Sequence, residues 1–209
     1  MAAWFAFARL TAAQVDWEPV RRARLVHLTG ITPALGEAPR SLVERALAEA
    51  TTVSFDINYR ATLWSPAEAR AFLEPVLAHV RYLFIGQSEA QTLFGFAGSP
   101  EQTLDALARL APKATISVQR GEEGSIVLDG GRLFRPTRRV AVQMVDPIGA
   151  GDAYAAGFLW ATLSGRDLQE AIDAGTAVAA IKCSTWGDIA LVSPRDVADV
   201  LAGGPDVRR

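Results

Sequence analysis

Apolar, β-branched stretches alternate along this chain with segments of helical spacing, and that alternation limits the folds open to it. Strands are predicted near 25–29, 52–57, 82–85, 115–119, 125–128, 132–135 and 140–145. Helices are predicted near 39–50, 66–79, 88–94, 100–111, 150–164, 168–183 and 194–201. Such alternation indicates an α/β fold with a mostly parallel sheet covered on both faces, and the Asp129-Gly130-Gly131 turn adds an antiparallel edge hairpin.

The segment from Asp146 to Gly157 is predicted to be a strand end, a glycine turn and a helix start. Gly149 and Gly151 let the backbone turn, and the unpaired amides of the first helical turn favour an anion. Asp152 lies in that turn and is a candidate general base, although a first-turn aspartate is also an ordinary capping residue. Small residues after it predict a helix that packs closely on the sheet.

Composition narrows the classes of protein and partner. The 209 residues, half of them hydrophobic, can bury one substantial core, so a single α/β domain over 1–209 is expected, with a frayed tail over 203–209. A net charge of −2 without a basic run gives no reason to expect nucleic acid. The single cysteine, Cys183, excludes an internal disulfide and fits a cytoplasmic location. The apolar N-terminus is too short to span a membrane.

The run from Asp146 to Leu159 resembles the C-terminal signature of the ribokinase-like (PfkB) carbohydrate kinases. The resemblance implies a ribokinase-like three-layer sandwich. It also implies that Asp152 takes a proton from a sugar hydroxyl while the amides of Gly149, Ala150 and Gly151 stabilise the transferred phosphoryl group. Asp146 lies where several members of the family place a monovalent cation such as K⁺.

A second segment, from Phe55 to Trp64, resembles the Phe-Asp-x-Asn-x-Arg-x-x-Leu-Trp pattern of 2-keto-3-deoxygluconate kinases and related fructokinases. It follows a predicted strand, and open parallel sheets bind ligands at the carboxyl ends of their strands. The resemblance implies that Asp56, Asn58 and Arg60 bind substrate, with the Arg60 guanidinium on a carboxylate or ketone oxygen. Taken alone, Arg60 fits a solvated loop arginine better than a binding residue, because surface arginines are usually solvated.

Two further segments resemble family motifs with one residue changed in each. After strand 115–119 the family has Lys-x-Gly-x-x-Gly lining the nucleotide groove; here Gln119 replaces the lysine, and Gly121 and Gly124 remain. Glu89 matches the glutamate of an Asn-x-x-Glu motif that organises Mg²⁺ through water, with Gly86 in place of the asparagine. Without the family, the two glycines are better explained as shaping a tight connection, and Glu89 is equally well an ordinary first-turn acid of a helix.

The resemblance covers essentially the whole sequence but only the C-terminal part of the family fold. We expect the first strands and the β lid of the family to be missing, as in a truncated product, a mis-started reading frame or a half that needs a partner. The implied activity is ATP-dependent, Mg²⁺-dependent phosphorylation of a sugar or sugar acid of the 2-keto-3-deoxygluconate type, compatible with a homo-oligomer. The alternative is a non-catalytic remnant that binds nucleotide or a partner chain. The sequence does not select the sugar.

Overall fold

Strands and helices alternate along the chain, as the sequence predicts. The computed structural model describes residues 6–203, so residues 1–5 and the part of the predicted tail from 204 onward lie outside it. The strands are β1 (Val26–Thr29), β2 (Val53–Asp56), β3 (Tyr82–Gly86), β4 (Thr115–Gln119), β5 (Ser125–Asp129) and β6 (Arg132–Phe134). The helices are α1 (Glu18–Arg22), α2 (Ile31–Ala34), α3 (Glu37–Glu49), α4 (Pro66–Leu77), α5 (Gln87–Phe94), α6 (Pro100–Leu110), α7 (Ala150–Leu163), α8 (Leu168–Cys183) and α9 (Pro194–Leu201).

The six strands form one sheet in the order β1-β2-β3-β4-β5-β6. β1, β2 and β3 pair in parallel, with Leu28 opposite Phe55 and Phe55 opposite Leu83. β5 and β6 are joined only by Gly130 and Gly131, so this pair runs antiparallel. The mostly parallel sheet with an antiparallel hairpin confirms the predicted fold class.

The chain divides into two compact units. Unit 1 comprises the residues up to Val118 together with Leu128–Gly131, and unit 2 comprises Gln119–Val127 together with the residues from Arg132 onward. Each unit buries its own apolar side chains. Those of unit 1 include Phe55, Leu73, Leu77, Leu83 and Leu104, and those of unit 2 include Ile126, Phe158, Ala161 and Ile172.

Four helices begin at a side-chain cap that is visible in the sequence. The oxygen atoms of Ser65, Ser99, Asp167 and Ser193 each accept a hydrogen bond from the backbone N–H three residues later. The residue at that third position is Glu, Gln or Asp, and its side chain bonds back to the cap residue. These capping boxes satisfy amides that a helix cannot pair internally, which is why the starts of these helices were predictable.

The predicted strand over 140–145 is wrong. Its residues are either exposed or half-buried, and it has a single bridge-type pairing at Val142. The amides of Val145 and Asp146 donate instead to the carbonyl oxygen of Cys183, at 2.8 and 3.2 Å. The β-branched residues that predicted a strand are therefore followed by amides that bond to the end of α8, and the segment does not join a strand ladder.

Within 6–203, no helix is both long and apolar enough to cross a membrane.

Candidate functional site

The turn before α7 has the shape that the sequence predicts. Gly149 precedes the helix with φ 81°, a left-handed conformation that favours glycine. The Asp146 side chain braces the turn, because its Oδ1 accepts from the Ile148 amide at 2.9 Å. Of the three amides implied for the anion, that of Ala150 already donates to the Pro147 carbonyl at 3.2 Å. The helix dipole adds positive potential at this end of α7.

Asp152 lies in the first turn of α7 and is exposed. An exposed carboxylate at this position can meet a ligand that approaches the glycine turn. Neighbouring Ala153 and Tyr154 are buried, and the Tyr154 hydroxyl hydrogen-bonds Ser125 Oγ at 3.0 Å. The helix is therefore fixed in place within unit 2, and so is the position of Asp152.

The segment after α8 lies against this turn. A Cβ atom added to Gly149 would lie 2.5 Å from the Asp188 carbonyl oxygen, so only glycine fits there. The Gly187 amide donates to Asp146 Oδ2 at 3.2 Å. Asp146 thus joins both segments. The Ile148 amide, aided by the Gly187 amide and the Lys182 charge, lowers the pKa of Asp146 below its ordinary 3.8.

Gln119, at the end of β4, reaches the same turn. Its Oε1 lies 3.1 Å from the place where a Gly151 Cβ would stand. Its Nε2 is buried and has no hydrogen-bond partner within the described residues. A buried amide donor without a partner is unusual and calls for a function or a ligand. The sequence had marked Gln119 only as a replaced lysine.

The two predicted nucleotide-binding glycines follow Gln119. Gly121 and Gly124 have φ of 58° and 81°, so each requires the left-handed freedom of glycine. The Arg120 amide donates to the Gly124 carbonyl at 2.8 Å, which closes the loop between β4 and β5. This geometry suits a tight connection by itself, so the nucleotide role remains a prediction.

The predicted substrate residues of unit 1 follow β2. Asp56 is buried, and its Oδ1 accepts from the Asn58 amide at 3.2 Å. Asn58 has φ 41° and is, among residues 6–203, the one non-glycine with positive φ. Strained backbone of this kind is common at binding sites. Arg60 is exposed, and its guanidinium donates to the Tyr59 carbonyl at 3.1 Å.

Glu89 anchors this loop. Its Oε1 accepts from the Tyr59 amide at 2.6 Å, and its Oε2 accepts from the Gly86 amide at 2.7 Å. Burial raises the pKa of Glu89 above its ordinary 4.5, opposed by the two amides and by the Arg60 charge. The structure therefore connects Glu89 to Arg60 through Tyr59, a link that the separate motifs did not indicate.

These contacts bear on Mg²⁺. Across the described part of the chain, no group of three or more His, Cys, Asp or Glu side chains could hold a metal ion. Both oxygens of Glu89 already accept an amide. The described residues therefore offer no cage of three side chains for Mg²⁺, an ion that proteins often hold through one or two carboxylates together with substrate phosphates.

A cavity of about 350 Å³ lies elsewhere in unit 2. Its lining includes Arg138, Trp160, Arg166 and Asp173, and none of the predicted site residues. The candidate residues of unit 2 surround the glycine turn instead, so this cavity is not part of the candidate site.

Comparison with known proteins identifies relatives. The family model for the pfkB family of carbohydrate kinases matches residues 2–195. A 2-dehydro-3-deoxygalactonokinase of Haloferax volcanii is 34% identical over 94% of this chain and 64% of that protein. A 2-dehydro-3-deoxygluconokinase of Thermoproteus tenax is 36% identical over 93% of this chain and 60% of that protein.

A solved structure supports the fold. The 2-dehydro-3-deoxygluconokinase of Thermotoga maritima is 26% identical and superposes with a TM-score of 0.87. The match covers 95% of this chain and 66% of that chain. The present chain thus spans 60–66% of the length of these relatives.

Proposed function

Because the chain belongs to the PfkB family of carbohydrate kinases, we propose that it catalyses ATP-dependent phosphorylation of a 2-keto-3-deoxy sugar acid. The relatives named for 2-dehydro-3-deoxy sugar acids support this substrate class, since "2-dehydro" and "2-keto" describe the same carbonyl group. The observation that carries the proposal is the exposed Asp152 beside the left-handed Gly149 turn.

Asp152 is assigned as the general base. Its carboxylate takes the proton of the acceptor hydroxyl while the hydroxyl oxygen bonds to the γ-phosphorus of ATP, and the bond to the β-phosphate oxygen breaks to release ADP. The amides of Gly149 and Gly151, with the positive end of α7, stabilise the charge on the phosphoryl oxygens. The amide of Ala150 would first have to leave the Pro147 carbonyl.

Gln119 contributes a further donor in this proposal. Its unpartnered Nε2 and its closeness to Gly151 support a contact with a phosphoryl oxygen at the turn. Gly121 and Gly124, which follow it, border the nucleotide. When bound, Mg²⁺ would neutralise phosphate charge, as in other phosphoryl transfers.

Arg60 and Asn58 are assigned to the substrate. The exposed guanidinium suits a carboxylate or ketone oxygen because its planar fork can donate two parallel hydrogen bonds. Asp56 and Glu89 hold the loop through the amides of Asn58 and Tyr59. Their role is to position the loop that carries Arg60.

The test is an ADP-release assay with ATP and a panel of sugars and sugar acids. We expect turnover with 2-keto-3-deoxy sugar acids, and we expect Asp152→Asn to lower kcat by about 10²–10⁴. Asp105→Asn is the matched control, because Asp105 is an exposed helical aspartate outside the site. Equal turnover of the Asp152→Asn and Asp105→Asn variants would remove the assignment.

The alternative function is nucleotide or partner binding without catalysis. The observation that favours it is the replacement of the motif lysine by Gln119, which removes a charge from the turn. Robust ATP-dependent turnover by the 209-residue chain excludes this alternative. Nucleotide binding without turnover on any tested sugar would support it.

A further inference from the structure

Lys182, in the last turn of α8, is completely buried although its side chain carries a charge. It lies between Ile181 and Cys183, which are also buried. Burying an ammonium group costs free energy unless oxygen atoms replace the water around it. The oxygens that surround Lys182 should therefore reveal its role.

Those oxygens belong to the two segments that frame the glycine turn. Lys182 Nζ donates to the Asp146 carbonyl at 2.8 Å and, more weakly, to the Thr185 carbonyl at 3.5 Å. The Thr185 amide in turn donates a hydrogen bond to the Lys182 carbonyl oxygen at 3.1 Å. One charged group thus ties the segment before Gly149 to the segment that packs against Gly149.

The family resemblance implied a monovalent cation at Asp146, and the residues present do not fit one. All three oxygen atoms of Asp146 already accept a hydrogen bond: Oδ1 from the Ile148 amide, Oδ2 from the Gly187 amide and the carbonyl from Lys182. A cation within reach of that carbonyl would also lie beside the ammonium of Lys182 and be repelled by it.

We propose that the ammonium of Lys182 replaces a bound monovalent cation and makes the glycine turn of this protein independent of K⁺. An ammonium group and K⁺ both carry a single charge, are similar in size and bind carbonyl oxygens. Lys182 is a positioning residue: it acts on Gly149 and Asp152 through Asp146 and through the segment 185–188. The inference rests on these contacts and does not require the proposed kinase reaction.

The first experiment is thermal unfolding of the wild-type chain in KCl and in choline chloride at equal ionic strength. We expect coincident melting temperatures at every salt concentration, because the cation site is already filled. A saturable rise specific to K⁺ would overturn the proposal. This measurement needs neither substrate nor turnover, so it is independent of the kinase assignment.

The second experiment uses Lys182→Ala and Lys182→Met, with Lys113→Met as the control for loss of an exposed lysine. In choline chloride, both Lys182 variants should melt at least about 5 °C below wild type, since they leave Asp146 without its buried cation. K⁺ or NH₄⁺ should then raise the melting temperature of Lys182→Ala saturably and leave Lys113→Met unchanged.

Comparing the two variants separates this role from simple core packing. Lys182→Ala removes most of the side chain and leaves space for an ion. Lys182→Met keeps most of the side-chain volume, so its melting temperature should respond to K⁺ less than that of Lys182→Ala. If Lys182→Ala folds but shows no K⁺-specific rise, the proposal is wrong. If neither variant folds, the wild-type salt series decides.

Discussion

Gly149 is the residue of the site that tolerates the least change. Its φ of 81° penalises any side chain, and an added Cβ would lie 2.5 Å from the Asp188 carbonyl oxygen. We expect Gly149→Ala to lower the free energy of unfolding by about 3 kcal/mol or more, through backbone strain and displacement of the 185–188 segment. Urea denaturation measures this loss.

Gly165 provides the matched control. Its φ of 78° is nearly the same, but no atom of residues 6–203 lies within 4 Å of an added Cβ. Gly165→Ala should therefore show the backbone cost alone, about 1–2 kcal/mol. Equal losses in the two variants would mean that the contact with Asp188 has no influence on stability.

At the scale of single residues, the sequence predicted the local chemistry well, but it did not predict which distant residues lie close together in space. The Gly149 turn and the exposed first-turn Asp152 follow from glycine and helix-start preferences over a few residues. The contact of Gln119 with Gly151 and that of Lys182 with Asp146 join residues far apart in sequence, so no local preference encodes them. One signal for Lys182 was available: a single lysine within the apolar end of a predicted helix.

At the scale of secondary-structure elements, α7 and α8 pack closely against each other in unit 2. A Cβ atom on Gly157 would lie 2.8 Å from the Ala174 carbonyl oxygen and 2.8 Å from Val178 Cγ2. A Cβ atom on Gly175 would lie 2.8 Å from the Tyr154 carbonyl oxygen. The small face of α7, which we expected to pack on the sheet, meets α8 at Gly157.

The close contact between α7 and α8 predicts the sign of the stability change caused by Gly157→Ala. In an exposed helix, Gly→Ala stabilises by about 1 kcal/mol because alanine has the higher helix propensity. We expect Gly157→Ala to destabilise instead, by about 2 kcal/mol or more, since the helices would have to separate. Thermal or urea unfolding gives the sign directly.

Ala156→Gly is the companion variant, because Ala156 is the exposed neighbour on the same helix. It should cost only the propensity difference of about 1 kcal/mol. An increase in stability for Gly157→Ala would show that α7 can move away from α8 at little cost.

Helix positions were predictable to within a few residues because capping boxes and apolar spacing are local signals. The 140–145 segment shows the limit of such signals. Its β-branched residues favour an extended backbone, but a strand also needs a neighbour with free hydrogen-bonding groups. Its last amides donate to the end of α8, and sequence periodicity does not carry that information.

For the molecule as a whole, two carboxyl groups predict how stability changes with pH. Burial raises the pKa of Glu89 above 4.5, so the folded chain holds this proton more tightly than the unfolded chain. Its contribution to stability therefore falls as pH rises from 4.5 through the raised pKa. We expect the difference in unfolding free energy, wild type minus Glu89→Gln, to decrease over that interval. A difference that increases with pH would contradict the assignment.

Asp146 acts in the opposite direction at lower pH. Its lowered pKa means that its charged form stabilises the folded chain fully above pH 3.8, and this stabilisation is lost as pH falls through the lowered value. The difference in unfolding free energy, wild type minus Asp146→Asn, should therefore decrease as the pH falls below 3.8. Acid titrations of both proteins by circular dichroism measure it, and parallel curves would contradict the prediction.

The fold class was predictable because strand and helix alternation is a property of the whole chain, and the family match agrees with it. The division into two compact units was not predictable from the sequence, because it depends on which distant segments make dense contacts. The sequence placed the motifs of Arg60 and Asp152 at strand and helix ends. It did not reveal that Glu89 holds the Arg60 loop through Tyr59.

The glycine contacts between α7 and α8 have a consequence for motion. Asp152 lies in the first turn of α7 and Lys182 in the last turn of α8, and the close approach at Gly157 and Gly175 opposes sliding of the two helices. The acid and the ammonium therefore belong to a rigid block. We therefore expect motion in unit 2 to arise in connecting segments, and amide relaxation in α7 and α8 to show no exchange on the millisecond timescale.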